Sequence, residues 1–119
     1  MNKATLTVYG IPNCDSVKKA RVWLTEHSVD HMFHDFKKQG LTPETVDLWL
    51  KHVSWEVLVN RKGTTWRKLD PALQAKITDS ASARALMLEH LSVIKRPVMV
   101  KDQTVIVGVN PEAWARVVG

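Results

Sequence analysis

Thr5-Leu6-Thr7-Val8-Tyr9-Gly10-Ile11-Pro12-Asn13-Cys14-Asp15-Ser16-Val17-Lys18-Lys19-Ala20 is an apolar, β-rich run that breaks at Gly10-Ile11-Pro12-Asn13 and passes into a helix. Cys14, the single cysteine of the chain, stands where that helix begins. The first N–H groups of a helix have no intrahelical partner and carry the positive end of its dipole, so a thiolate is favoured there. A cysteine in such a place ionises at lower pH than a free one and becomes a nucleophile near neutrality. A free structural cysteine is ordinarily buried among apolar groups and inert. Asn13, Asp15 and Ser16 are polar, and they argue for the reactive reading.

Outward from this stretch, the chain alternates short strands and helices. Thr5 to Tyr9 reads as a strand and Asp15 to Glu26 as a helix with Val17, Ala20 and Leu24 on one face, capped by Asp15 or Ser16. His31 to Phe36 suits a second strand, between the turn Ser28-Val29-Asp30 and the break Lys37-Lys38-Gln39-Gly40. Thr42-Pro43-Glu44 is a helix start, with Thr as cap and Pro at the first helical position, and Val46, Leu50 and Val53 continue it to about His52. A short helix follows from Ser54 or Trp55 to Val59, then the polar loop 60–65, then helices opened by Asp70-Pro71 and by Ser80. After Arg96-Pro97, the runs 98–100 and 104–107 make a hairpin across Lys101-Asp102-Gln103, and Pro111-Glu112 opens a last helix to Val118.

The order β-α-β, helical block, β-β-α is that of an α/β, thioredoxin-like fold with a helical insertion, over about residues 42–92, between its two halves. A chain of 119 residues makes one domain, 1–119. With 45% apolar and 24% charged residues it reads as a soluble globular protein, and a lone cysteine excludes an internal disulfide framework, which points to a reducing, cytoplasmic setting. Met1 to Thr5 lacks the apolar core of a signal peptide, and no apolar run is long enough to cross a bilayer. The net charge of +5 suits an anionic small molecule, nucleic acid or an acidic protein and selects none of them.

Four stretches in order carry a resemblance that covers nearly the whole chain: residues 9–20, the loop Asn60-Arg61-Lys62-Gly63-Thr64-Thr65-Trp66-Arg67-Lys68-Leu69, Leu86-Met87-Leu88-Glu89-His90, and Ile94-Lys95-Arg96-Pro97. On these residues the chain resembles the ArsC/Spx family of arsenate-reductase-like proteins, and within it the YffB-type proteins. In arsenate reductases of the family one cysteine attacks the oxyanion, three arginines bind it and support the thiolate, and glutathione and glutaredoxin supply electrons. The resemblance implies that Cys14 is the nucleophile and that Arg61 and Arg96 are the first and second arginines. It places substrate binding on Asn13, Asp15, Ser16, Arg61, Trp66, Arg96 and Pro97, with Pro97 matching the cis proline beside the thiol. A guanidinium suits this work, because its planar fork fixes an oxyanion or carboxylate and its charge favours the thiolate.

Two departures separate the chain from its better-known relatives. The position matching the third arginine is Val109, which argues against efficient arsenate reduction, since losing a charged partner in a desolvated site costs about 2–5 kcal/mol. The second cysteine of the Spx redox switch is replaced by Val17, so no disulfide can form within the chain. An oxidised Cys14 therefore needs an external thiol, acting through a mixed disulfide, and glutathione is the abundant candidate.

Other constellations carry less. His31 and His34 point to opposite faces of a strand and no second cysteine joins the five histidines, so no metal is expected. The five tryptophans fall one to a segment, as packing residues rather than a stacking platform, and Trp66 alone stands in a basic loop. The expected molecule is a cytoplasmic monomer without bound cofactor, metal, nucleic acid or membrane partner: a glutathione-dependent thiol oxidoreductase, with glutaredoxin as a further partner. The alternatives are a glutaredoxin-dependent arsenate reductase and a non-enzymatic, Spx-like adaptor that binds RNA polymerase.

Overall fold

Alternation of apolar and polar residues in Leu6–Gly10 (β1) sends Leu6 and Val8 to one face of a sheet, where both are buried. The structure, a computed structural model, describes residues 5–118. In chain order it contains β1, Asp15–Glu26 (α1), His31–Asp35 (β2), Phe36–Gln39 (α2), Pro43–His52 (α3), Trp55–Leu58 (α4), Thr64–Arg67 (α5), Pro71–Lys76 (α6), Ser80–Glu89 (α7), a 3-10 turn Leu91–Val93, Val98–Lys101 (β3), Thr104–Val107 (β4) and Pro111–Val118 (α8). These form two compact units. One runs up to Gly40 and resumes at Arg96, and the other is Leu41–Lys95.

The first unit is a four-stranded sheet of order β2-β1-β3-β4. β1 and β2 are parallel, as the intervening α1 crossover requires, and β3 is antiparallel to both β1 and β4. In register, Phe33, Val8, Met99 and Ile106 lie across one face. On that face they pack with Ala20 and Leu24 of α1 and Trp114 of α8, joined by the half-buried Trp23 and Val117. Trp23 and Trp114 meet edge to face, their ring centroids 5.5 Å apart. Truncating a fully buried side chain such as Leu24 would remove about 2–5 kcal/mol. This β-α-β, β-β-α arrangement is a thioredoxin-like fold.

The second unit is helical, and its short helices depend on their ends. Thr42, Ser54, Asp70 and Asp79 each cap a following helix with a side-chain oxygen, and Pro43 and Pro71 occupy the first helical positions. Val46, Trp49, Leu58, Ala83, Leu86 and Met87 are its buried side chains on α3, α4 and α7. Arg84 of α7 reaches Asp47 of α3 with Nε 2.6 Å from Oδ1. A single antiparallel bridge, Val59 with Ile94, closes the unit, flanked by Asn60 N–H to the Val93 carbonyl at 2.8 Å and Lys95 N–H to the Leu58 carbonyl at 2.7 Å.

Three local expectations are corrected. Phe36 does not extend β2: Asp35 accepts hydrogen bonds from the Lys37 and Lys38 N–H groups, and that cap turns Phe36–Gln39 into a helix ended by Gly40 at φ +82°. Thr64 and Thr65 are helical rather than loop. Neither Asp15 nor Ser16 caps α1; the capping position is Cys14 itself. His31 and His34 do lie on opposite faces of β2, with His31 beside Leu6 and the His34 ring tilted against that of Tyr9, ring centroids 5.0 Å apart.

Candidate active site at the start of helix α1

Gly10 fixes how closely the end of β1 approaches α1. A Cβ at this position would stand 2.6 Å from Cγ2 of Val17, whose side chain is fully buried, so a larger residue would force the end of β1 away from α1. The turn brings Cys14 to the helix start with extended backbone, φ −140° and ψ 123°. Its carbonyl accepts the first helical bond, from Lys18 N–H at 2.9 Å. No side-chain capping hydrogen bond closes this end of α1.

Cys14 is half-buried and free of disulfide. Burial, the largest single influence, pushes its thiol up; the Val17 N–H, the hydrogen bond and positive charge of Arg96, and the Ser16 N–H together outweigh burial and hold it below the ordinary cysteine range. The sulfur makes no capping bond of full hydrogen-bond geometry in α1, so the two N–H groups act on the thiolate chiefly as fixed positive dipoles.

Arg96 comes to the thiol from the other half of the sequence. Tyr9 pairs with Val98 across β1 and β3, so the residues just before β3 lie beside those just after β1. The Arg96–Pro97 peptide is cis. Pro97 is buried, and its carbonyl accepts the Gly108 N–H at 2.8 Å. Gly108 has φ +82°, the left-handed region that glycine enters without strain. The next residue, Val109, is 45% exposed, and Asn110 then caps α8 by accepting the Ala113 N–H at 3.2 Å.

Of the expected site residues, Cys14, Ser16 and Arg96 are thus joined by direct interaction, and Pro97 adjoins them through Arg96. Asp15 lies in the first turn of α1, exposed, and Asn13 is exposed before it. Arg61 and Trp66 belong to the helical unit. Arg61 Nη2 is 3.6 Å from Oε2 of Glu56, and its guanidinium lies over the Trp55 ring at 5.6 Å. Trp66 is half-buried in α5, its carbonyl taking the Gln74 side-chain amide at 2.7 Å. Sequence reasoning missed Gly10, Gly108 and the Val17 N–H. The first was visible as the break after β1, whereas the other two act through backbone and leave no side-chain signal. Among the described residues no group of three metal-binding side chains occurs, and no helix is long and apolar enough to cross a membrane.

A thioredoxin-like sheet unit that presents one activated thiol beside an arginine and a cis proline defines a class of thiol-bearing proteins. The chain belongs to the ArsC family, whose model matches residues 9–117. It is similar to a YffB protein of known structure, 44% identical with a TM-score of 0.91, covering 97% of this chain and all of that one. An arsenate reductase (ArsC) related protein from Brucella melitensis is 48% identical, with a TM-score of 0.75 and coverage of 98% and 96%. An uncharacterized protein of Haemophilus influenzae is 38% identical over 109 residues, 92% of this chain and 95% of its own. The similarity extends to the global transcriptional regulator Spx of Enterococcus faecalis, at 26% identity over 93% of this chain and 84% of that one.

Proposed function

We propose that this ArsC-family protein is a glutathione-dependent thiol oxidoreductase in which Cys14 is the nucleophile. The observation that carries the reading is the placement of the only cysteine at the start of α1 beside Arg96 and its cis peptide to Pro97, where Arg96 and two α1 N–H groups lower the thiol against the opposing effect of burial. The chain has no second cysteine to resolve an intermediate. In the first step the Cys14 thiolate attacks the glutathione sulfur of a mixed disulfide; the S–S bond breaks, Cys14 becomes glutathionylated, and the substrate thiolate leaves and takes a proton from water. In the second step a glutathione thiolate attacks that adduct, releasing oxidised glutathione and restoring the Cys14 thiolate. The substrate leaves as a free thiol, and the glutathionyl group it carried leaves joined to one incoming glutathione as oxidised glutathione; one disulfide is consumed and one is formed, so the cycle balances without a bound cofactor.

In this reading Arg96 stabilises Cys14 as the leaving thiolate of the second step, and Arg61 is an anion-binding residue on the strength of the family resemblance. The two carboxylates of glutathione offer what a guanidinium binds, and Arg61 already holds one carboxylate, that of Glu56. Asn13, Asp15, Ser16, Trp66 and Pro97 complete the proposed substrate-binding set. Val109 presents an apolar side chain where the resemblance calls for a third arginine, so arsenate turnover with glutathione and glutaredoxin should be negligible.

The deciding experiment treats the protein with oxidised glutathione and follows its intact mass. One glutathione should add at Cys14 and be removed by reduced glutathione, and Cys14→Ser should neither take the adduct nor reduce a glutathione mixed disulfide. A disulfide-linked dimer formed in place of the adduct under glutathione excess would refute the mechanism.

A further inference from the structure

The positive charge of the chain is not evenly spread. Its net charge is +5, and residues 61–68 alone contribute four positive charges and no negative one. The remainder of the helical unit Leu41–Lys95 carries six acidic against four basic side chains, so the basic segment sits within surroundings of opposite net sign. Its cations are exposed. Arg61 is engaged by Glu56, while among the described residues none of Lys62, Arg67 and Lys68 forms an ion pair.

The backbone that bears them is held at several points. Asn60 N–H bonds the Val93 carbonyl, Gly63 N–H bonds the Asn60 carbonyl at 3.1 Å, Arg67 N–H bonds the Gly63 carbonyl at 3.2 Å, and Gln74 ties down the Trp66 carbonyl. Gly63 packs closely here, since a Cβ there would stand 2.8 Å from the Asn60 side-chain nitrogen and would push that side chain aside. The three cations therefore project from a fixed turn rather than from a loose chain, and less ordering opposes binding.

We propose that Lys62, Arg67 and Lys68 form a docking surface for an acidic face of a partner protein. The extent of the patch decides between polyanions. Three charges on one turn and the end of one short helix match a partner helix or loop with a few carboxylates. A nucleic-acid backbone would run beyond the patch onto the rest of the helical unit, where six acidic side chains face four basic ones, which disfavours it. This assignment does not rest on the thiol chemistry, and Lys62, Arg67 and Lys68 stand outside the proposed catalytic and substrate-binding set.

The test uses the full-length protein and a fluorescein-labelled, alanine-based helical peptide bearing four glutamates at i, i+4 spacing, read by anisotropy. Binding should saturate in low salt and weaken about tenfold or more when the salt is raised to about 300 mM. The triple variant Lys62→Ser, Arg67→Ser, Lys68→Ser should lose binding by about tenfold or more, as expected when most of a complementary charge is removed. A control triple, Lys19→Ser, Lys37→Ser, Lys38→Ser, lowers the net charge equally and should bind as the parent does. Circular dichroism of both triples checks that each is folded. Equal loss in the two triples, no binding by the parent, or tighter patch-dependent binding of a single-stranded oligothymidylate than of the peptide would each overturn the proposal.

Discussion

The starts of α1 and α7 put the same helix-end field to opposite uses. At α7, Asp79 accepts the Ser82 N–H at 2.8 Å while the Ser82 hydroxyl accepts the Asp79 N–H at 3.1 Å, a reciprocal capping box. The Ser82 N–H, then its hydroxyl, hold the Asp79 carboxyl below the usual carboxylate range. At α1 the capping position belongs to Cys14, and the acid held down there is a thiol assisted by Arg96. Asp79 gives its charge wholly to local hydrogen bonds and thereby strengthens the helix. Cys14 forms no such box, so its stabilised charge remains available to an incoming sulfur. One arrangement is capping and the other is activation, and what separates them is the geometry behind the helix: Gly10 and Val17 position α1 from the sheet, so its end does not depend on a cap of its own.

The strongest break in this comparison is Arg96→Ala. Removing a hydrogen bond to a charged group costs about 1.5–3 kcal/mol, which corresponds to roughly ten- to hundredfold in the reaction of Cys14 with a disulfide near neutrality. The midpoint of iodoacetamide alkylation against pH should rise at the same time. An unchanged midpoint would mean that the helix end alone activates the thiol. Next comes Gly10→Ala, which forces a methyl against the buried Val17 side chain and should destabilise the fold by about 1–3 kcal/mol in urea unfolding. The double variant Gly10→Ala, Val17→Ala supplies the missing space. Recovery of part of the loss there would show that the close approach, rather than the turn itself, requires glycine.

How far the sequence reveals this design differs between elements. The bounds of α1 and its buried face Val17, Ala20 and Leu24 follow from helical periodicity, and the starts of α3 and α6 follow from Thr42-Pro43 and Asp70-Pro71, because cap and proline act locally. Phe36–Gln39 escaped because Phe36 continues the apolar pattern of β2, and only the fold shows the Asp35 carboxylate turned onto the next backbone. The helix at Thr64–Arg67 was hidden by a Gly-Thr-Thr run that reads as loop. At the site, the exposed helix start was legible from Cys14 onward. The meeting of Cys14 with Arg96 was not, since β1 and β3 pairing brings together residues far apart in sequence, and the family resemblance alone anticipated it.

A smaller effect is expected at the other helix start. Asp79→Ala removes both the carboxylate acceptor and the reciprocal box, leaving the Ser82 N–H to water, so the melting temperature should fall by a few degrees while Cys14 alkylation is unchanged. Asp79→Asn keeps an oxygen acceptor without the charge and should recover part of the difference. If Asp79→Ala also slowed alkylation, the two helix ends would not be independent and the division between capping and activation would fail.

The smallest effect tests the sign of the same physics at Cys14. In the unfolded chain a cysteine ionises near about 8.5, and in the folded protein it ionises lower, so ionisation favours the folded state. That contribution is fully present above the unfolded value and is lost as pH falls through the folded one. Cys14→Ser has no titration in this window, and the other ionisable groups are common to both proteins. The difference in stability between parent and variant, measured by urea unfolding in the presence of a phosphine reductant, should therefore shift in favour of the parent as pH rises and level off above about 8.5. Half-burial lets solvent screen the thiolate, which keeps the change small. A difference that stayed flat from about pH 5 to 9 would place the folded and unfolded thiols at the same ionisation. One that moved against the parent with rising pH would mean that burial, not Arg96 and the α1 N–H groups, governs Cys14.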